Sequence, residues 1–249
     1  MSKNFTVFAF SAIPDLDTAR KNFGLHDLSD KDVAKVLFHK RKQQTGHSET
    51  LNWDQLQIAS VSLVHHSQEH VVLETLCLPD VSENAILAAF FQALGTSGRM
   101  VCWGGEDNSL ALIDFRCMKH RISDKGYWQA RQSGLLMFDD LREMLAPAGS
   151  EVPSMDAFAG RFDYPGMCGM DDEAVWDAYL LDDFEQIARH SDYRALNTYL
   201  LALEMLSLRG ELSFAEADRA RGSLRKHLEK TTGASGQRHD FITSWDDVK

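Results

Sequence analysis

Two groups of basic residues have the charge and spacing for contact with phosphate. The first is the run His39-Lys40-Arg41-Lys42, and the second is the segment 219–227, in which Arg recurs along a predicted helix. Lys and Arg at such places can contact a nucleic-acid backbone without reading its sequence. A solvated helix end, whose positive charges stabilise the helix macrodipole, explains the first group equally well. The candidates for phosphate contact are Lys40, Arg41 and Lys42.

Histidine, serine and cysteine residues could supply metal ligands or nucleophiles, but their spacing does not assemble a site. His65, His66 and His70 fall where a hairpin turn is expected. We therefore expect solvated turn residues there rather than metal ligands. The four cysteines show no CxxC spacing, so neither structural zinc nor a disulfide framework is indicated. The order of residues gives Ser11 and Ser109 no neighbouring base and orienting acid, so neither is expected to be a nucleophile.

The overall composition is that of an acidic globular protein. The 249 residues include 26 Lys+Arg and 37 Asp+Glu, for a net charge of −11, and 44% are hydrophobic. These values exclude a disordered chain and a collagen-like repeat. The acidic total also argues against a protein that coats nucleic acid indiscriminately. The apolar stretch 85–93 is too short to span a bilayer, and residues 1–5 lack the features of a secretory signal, so we expect a cytoplasmic protein without membrane contact.

The elements that must position these residues are mixed strands and helices. Five segments are apolar or alternating enough to predict strands, namely 6–13, 57–65, 70–78, 100–103 and 135–138. From Asp172 onward the pattern is helical, apart from Gly210 and the segment 231–237. This order favours an α/β fold with a mixed sheet and a helix-rich C-terminal half. We expect one domain over residues 1–230, and a loop and tail over 231–249 whose aromatic residues dock back onto it.

Several long motifs are more specific than composition. They are Tyr164–Asp171 (YPGMCGMD), Val175–Tyr179 (VWDAY), Leu196–Leu201 (LNTYLL) and Arg209–Leu212 (RGEL), together with Ile13–Asp15, Lys40–Gly46 and Trp103. These motifs resemble those of the predicted 3′–5′ exonuclease family related to the proofreading domain of family B DNA polymerases. The resemblance implies a ribonuclease-H-like fold, with a five-stranded mixed sheet flanked by helices. It also implies an active site at one edge of the central strands.

The chemistry that this resemblance implies is two-metal hydrolysis of a phosphodiester. Four carboxylates hold two divalent cations about 3.5–4 Å apart, so that one generates hydroxide and the other stabilises the leaving oxygen. Magnesium and similar hard cations need such oxygen ligands. The family carries them as Asp-x-Glu on the first strand, an Asp after a Trp-Asn-Gly turn, and Tyr-x-x-x-Asp on a late helix. The tyrosine orients the attacking water.

This sequence departs from the family pattern at the first-strand and turn positions. Aligned on Ile13–Asp15, the Asp-x-Glu positions hold Ala9 and Ser11. No Asp or Glu occurs from residue 4 to residue 13, so no shift of register along the strand restores a carboxylate. Aligned on Trp103, the Asp position holds Ser109. A further family Asp near the fifth strand is replaced by Leu136.

The late-helix motif departs in the same way. Aligned on Leu196–Leu201, the Tyr-x-x-x-Asp positions hold His190 and Arg194. Arg194 would place a fixed positive charge where two dications would repel it. Asp192 cannot substitute, because two helical residues turn a side chain by about 200°. The acidic stretch 171–185 is expected to form a solvated face.

We therefore expect a catalytically inactive relative of the exonucleases, with no metal and no cofactor. The vestigial positions are Ala9, Ser11, Ser109, His190 and Arg194. Such a protein would bind either single-stranded nucleic acid weakly, in the former substrate groove, or a protein partner. The candidates for nucleic-acid contact are Lys40, Arg41, Lys42, Trp103 and Arg194.

Two alternatives remain open. One is an active Mg- or Mn-dependent 3′–5′ exonuclease with relocated metal ligands such as Asp107, Asp139 and Asp163. Asp107 is the first rescue candidate, because it lies in the turn before Ser109. The other alternative is a pure protein-interaction scaffold, whose groove binds nothing.

Overall fold

A five-stranded mixed sheet forms the centre of the protein. The structure is a computed structural model, and it describes residues 4–68, 70–104, 109–133, 137–145, 153–232 and 238–247. The strands are β1 (Phe5–Pro14), β2 (Leu56–His66), β3 (Val71–Cys77), β4 (Arg99–Cys102) and β5 (Met137–Asp140), in the order β3-β2-β1-β4-β5. β1 runs antiparallel to β2 and parallel to β4, and β4 runs parallel to β5. β1 is thus the central strand of a ribonuclease-H-like sheet, as predicted. The described part of the fifth strand begins at Met137, and Leu135 and Leu136, with which the predicted strand begins, lie outside the described residues.

Helices cover both faces of the sheet and dominate the C-terminal half. They are α1 (Leu16–Phe23), α2 (Asp30–Thr45), α3 (Glu83–Ser97), α4 (Leu110–His120), α5 (Lys125–Ser133), α6 (Leu141–Leu145), α7 (Met155–Ala159), α8 (Asp172–Leu180), α9 (Phe184–Leu208), α10 (Phe214–Thr232) and α11 (His239–Asp247). Ser29 and Ser82 cap α2 and α3 by accepting a backbone N–H of the first turn. No helix in the described ranges is long and apolar enough to cross a membrane.

The alternation of side chains along β1 decides which residues face the candidate site. Phe8 and Phe10 point to one face of the sheet, where they pack against Phe90 of α3. Val7 and Ala9 point to the opposite face, into the cluster that contains the buried side of α9. Ser11 follows the same two-residue period and contacts α9. Ala9 and Ser11, the two positions that the sequence aligns with the first-strand motif, therefore face α9, which contains His190 and Arg194.

The motif Tyr164–Asp171 forms a loop that is fastened to α9 by Asn197. The Asn197 side chain accepts the N–H of Gly166 at 3.0 Å and donates to the Gly166 carbonyl at 2.7 Å. Gly166 has φ +69°, and a Cβ there would lie 2.4 Å from Oδ1 of Asp156, so only glycine fits. This loop leads directly into α8, so the Asn197 clamp sets where α8 begins relative to α9.

The C-terminal helix α11 lies against the same side of the sheet as α9. Phe241 is fully buried and packs on Tyr193 of α9, with ring centroids 5.4 Å apart. Arg238, just before α11, donates to the buried Asp192 carboxylate at 2.7 Å. Asp192 also accepts from the hydroxyls of Ser62 and Thr75 on β2 and β3. Aromatic packing and one buried ion pair therefore connect the chain end to the sheet.

Candidate functional site

Ser11 and His190, two of the vestigial positions, contact each other directly. Ser11 Oγ lies 2.9 Å from Nδ1 of His190 and donates its hydrogen to the carbonyl of Ile187 at 3.0 Å. Both side chains are buried. Ser11 comes from β1 and His190 from α9, so the contact joins the strand and the helix to which the sequence assigns the two motifs.

Asp172, the first residue of α8, completes this arrangement. Its Oδ1 lies 3.3 Å from Nε2 of His190 and 3.6 Å from Nη1 of Arg194. The hydrogen bond from His190, with a smaller contribution from the positive charge of Arg194, lowers the pKa of Asp172 to about 2, although partial desolvation opposes the shift. The side chain of Asp172 is nevertheless 87% exposed, so the carboxylate lies on the solvent side of His190. We call Ser11, His190, Asp172 and Arg194 the Asp172 network.

The hydrogens of the Asp172 network can be counted along the chain of contacts. The Ser11 hydroxyl lies within hydrogen-bond distance of both the Ile187 carbonyl and Nδ1 of His190, and the direction of the second contact depends on the imidazole tautomer. Nε2 then needs its own hydrogen to donate to Asp172. Arg194 and His190 thus both present nitrogen donors to the single carboxylate of Asp172.

A serine, a histidine and an aspartate in sequence raise the question of nucleophilic catalysis. The order of residues assigns Ser11 no base, but the fold brings His190 to it across 179 residues. Ser11 is only 1% exposed, however, so a substrate cannot reach its Oγ. A serine nucleophile must be reachable and must give its proton to the base. Ser11 is therefore a structural hydrogen-bonding residue.

The remaining vestigial positions add no charge to the network. Ala9 is buried at 6% exposure on the α9 side of β1. Ser109 lies immediately before α4 and caps no backbone N–H of that helix. Asp107, the first rescue candidate, lies outside the described residues.

The other relocated-ligand candidates are engaged elsewhere. Asp139 on β5 forms ion pairs with Arg99 and Arg209. Asp163 ends a short 3-10 turn with φ +57° and is exposed. Within the described ranges, no group of three or more His, Cys, Asp or Glu side chains could hold a metal ion. Asp172, which the sequence placed on a solvated acidic face, is the carboxylate that the structure places in the site.

The three basic candidates on α2 all have partners within the protein. The Lys40 ammonium lies 4.4 Å from the centre of the Phe23 ring, Arg41 donates to Thr50 and Asn52, and Lys42 lies 2.8 Å from Glu49. These contacts are on the surface, where they are weak and exchangeable.

Contacts between α2 and α8 place the basic end of α2 near the site. Phe38 of α2 packs on Trp176 of α8, and Asp30, at the start of α2, accepts from Tyr179 near the end of α8. The two helices therefore run antiparallel, and the C-terminal end of α2 lies on the same side as the start of α8, where Asp172 is.

Trp103 and His66 are placed differently from the expectation. Trp103 is only 7% exposed and packs on Phe158, with centroids 5.2 Å apart, so its indole is not presented to a base. His66 is not a solvated turn residue but a core residue, stacked on Phe5 at 4.5 Å and hydrogen-bonded to the Tyr199 hydroxyl at 2.8 Å. Burial lowers the pKa of His66 to about 4. The partner, Tyr199, belongs to the Leu196–Leu201 motif, so that motif serves the core.

Comparison with known proteins supports the architecture just described. No curated protein matches the chain. A family model described as a predicted 3′–5′ exonuclease related to the exonuclease domain of PolB matches residues 48–245, about four-fifths of the chain. The match includes Ser109, His190 and Arg194 but begins after β1, so Ala9 and Ser11 lie before it. The chain belongs to the family of predicted 3′–5′ exonucleases related to the exonuclease domain of PolB.

Proposed function

We propose that this protein is a catalytically inactive member of its family, and that it binds the phosphate backbone of single-stranded nucleic acid at the former metal site. The observation that carries the proposal is the Asp172 network. Where the family motif calls for carboxylates and a tyrosine, Ser11, His190 and Arg194 are engaged with one another or with Asp172.

Two divalent cations do not fit the described residues of this site. Two-metal catalysis needs several carboxylates around both ions. The described site has one, Asp172, and its Oδ1 already faces two nitrogen donors. Arg194 keeps its charge at every accessible pH and would repel a dication. The charge of the site is therefore reversed relative to the family pattern, from strongly negative to positive or neutral.

A site of this polarity favours an anion in place of metals. Arg194 is 31% exposed, so its guanidinium reaches solvent at the rim of the site. Arginine binds phosphate oxygens through its planar set of donors. Lys40, Arg41 and Lys42 would extend the positive rim once their weak surface contacts exchange for phosphate. Because so few contacts are involved, binding should be weak, independent of sequence and strongly dependent on salt.

The test is binding of a fluorescent single-stranded oligonucleotide at low and at moderate salt. We expect measurable binding at low salt that weakens sharply at moderate salt and falls further in Arg194→Ala. Arg161→Ala, which removes an exposed arginine from a 3-10 turn, is the matched control and should bind like the wild type. No binding at low salt, or binding indifferent to Arg194, would contradict the proposal.

A protein partner is the second candidate function. It is favoured by the net charge of −11 and by two large apolar side chains near the turn between α9 and α10, Leu208 and Phe214, which are 79% and 69% exposed. Replacing both with Ser should abolish partner binding and leave oligonucleotide binding unchanged. Unchanged partner binding in this variant would contradict the second candidate function.

A further inference from the structure

The carboxylate of Asp172 occupies the position that an incoming phosphate oxygen would need. One oxygen, Oδ1, lies between Nε2 of His190 and Nη1 of Arg194, at 3.3 Å and 3.6 Å. A phosphate oxygen held by these two donors would stand at the same point, because carboxylate and phosphate are recognised by the same donor geometry. Asp172 and a phosphate therefore cannot both be bound there.

We propose that Asp172 is a built-in competitor, which occupies the anion position of the site until a nucleic-acid phosphate displaces it. This inference rests on the proposed function and adds its regulation. It also identifies the exchange that ligand binding requires, since the Asp172 side chain must rotate away before a phosphate oxygen reaches His190 and Arg194.

Three observations indicate that Asp172 can be displaced while its partners stay in place. Its side chain is 87% exposed, so rotation into solvent meets little obstruction. Its two contacts are longer than the 2.7–2.9 Å that is usual for strong charge-assisted hydrogen bonds. His190, in contrast, is 2% exposed and is held from behind by Ser11.

The backbone around Asp172 is fixed independently of its side chain. Asp171, not Asp172, caps α8 by accepting the N–H of Ala174 at 2.9 Å. The loop before it is clamped through Gly166 and Asn197. Rotation of the Asp172 side chain therefore leaves the start of α8 intact, and the change is confined to one side chain.

The ligand of this site is a phosphate group with at least one accessible anionic oxygen. An internal phosphodiester and a terminal phosphate of a strand share this chemistry. Two oligothymidylates, one with a 3′-phosphate and one without, separate these sources. Equal affinity for both would assign the site to the internal backbone, and a clear preference for the first would assign it to the strand end.

The variant Asp172→Asn keeps the shape of the side chain and removes its charge. We expect it to bind the oligonucleotide about fivefold more tightly than the wild type at low salt, because phosphate no longer has to displace a partly exposed ion pair. Glu173→Gln is the matched control, since it removes one negative charge from the next residue of the same helix turn, where the side chain is also exposed. This control should show less than a twofold change.

The double variant Asp172→Asn/Arg194→Ala separates the inference from the proposed function. If the tighter oligonucleotide binding of Asp172→Asn is lost when Arg194 is also replaced, Asp172 and phosphate compete for Arg194. Wild-type binding that depends on Arg194 but is unchanged in Asp172→Asn would overturn the competitor role and leave the proposed function standing. If neither the wild type nor Asp172→Asn binds the oligonucleotide, although urea denaturation shows that the two proteins are folded, the competitor role and the proposed function are both overturned.

Discussion

Ser11 Oγ and His190 Nδ1 lie 2.9 Å apart, although the two residues are separated by 179 positions in the chain. The contact joins the central strand of the sheet to α9. Under the function proposed above, it stands where active relatives would hold mutually repelling carboxylates. The same contact holds the imidazole in position towards Asp172.

Removing the Ser11 hydroxyl should destabilise the fold. In Ser11→Ala, Nδ1 of the buried His190 loses its contact with the Ser11 hydroxyl, which costs about 1–3 kcal/mol of unfolding free energy. Urea denaturation measures the change. Ser133→Ala, at an exposed helical serine, should stay within about 0.5 kcal/mol of the wild type. Equal effects of the two substitutions would show that the Ser11 contacts contribute nothing.

Restoring two carboxylates should not restore activity. The double variant Ala9→Asp/Ser11→Glu returns the first-strand motif, but Arg194 still carries a positive charge and Ser109 supplies none. It also buries a carboxylate at position 9, where exposure is 6%, so we expect a loss of several kcal/mol in unfolding free energy. The measurement is digestion of end-labelled single strands with Mg²⁺ or Mn²⁺.

The wild type should likewise show no metal-dependent digestion in that assay. Full restoration should require Ser109→Asp, Arg194→Asp and His190→Tyr in addition. A strongly active double variant would mean that the second and third motif positions are assigned incorrectly. Wild-type cleavage that disappears in Asp107→Ala would favour relocated ligands.

Arg116 should be among the most sensitive positions in the protein. It is 2% exposed and pairs with two buried carboxylates, Asp15 after β1 and Glu83 at the start of α3. Arg116→Met leaves both carboxylates without their main counter-charge, and we expect a loss of about 3–5 kcal/mol. Arg131→Met, which breaks the more exposed pair with Asp114, should cost less than about 1 kcal/mol by the same denaturation measurement.

His66 should make the protein less stable at mildly acidic pH. The unfolded chain takes up a proton at His66 below its ordinary pKa of 6.5, whereas burial holds the folded pKa near 4. This group should therefore lower the free energy of unfolding by about 3 kcal/mol as the pH falls from about 6.5 to about 4. Below pH 4 its effect should level off. Urea denaturation between pH 4 and pH 7.5 measures the decline.

The pH dependence can be assigned with His66→Asn, whose Oδ1 takes the place of Nδ1 beside Tyr199. This variant should be less stable at pH 7.5 but should show a flatter decline. His26→Asn, at an exposed histidine, should leave the slope unchanged. His227, whose pKa burial also lowers, contributes in the same direction and remains in both variants.

Arg238 should anchor the C-terminal segment. Asp192 is fully buried, and Arg238 is its described cationic partner. Arg238→Met should cost about 3 kcal/mol and speed hydrogen exchange in α11, because removal of one partner leaves a buried charge uncompensated. Unchanged exchange in α11 would show that Phe241 and its aromatic contacts suffice to hold the helix.

Local sequence by itself determined the elements and the absence of acidic residues along β1. The alternation along β1 and the capping serines before α2 and α3 depend on neighbours within a few residues, so the pattern predicts them. The absence of any acidic residue from 4 to 13 likewise holds for every possible register of the strand. These features need no knowledge of distant contacts.

Tertiary structure decided which polar groups meet. Asp172 belongs to an acidic stretch typical of a solvated face, and the packing of α8 on α9, together with the Asn197–Gly166 clamp, brings the start of α8 to His190. His66 looks like a turn residue by spacing, yet the core closes over it through Phe5 and Tyr199. Such pairings depend on contacts between residues far apart in the chain, and hydrophobic period and capping signals carry information only about near neighbours.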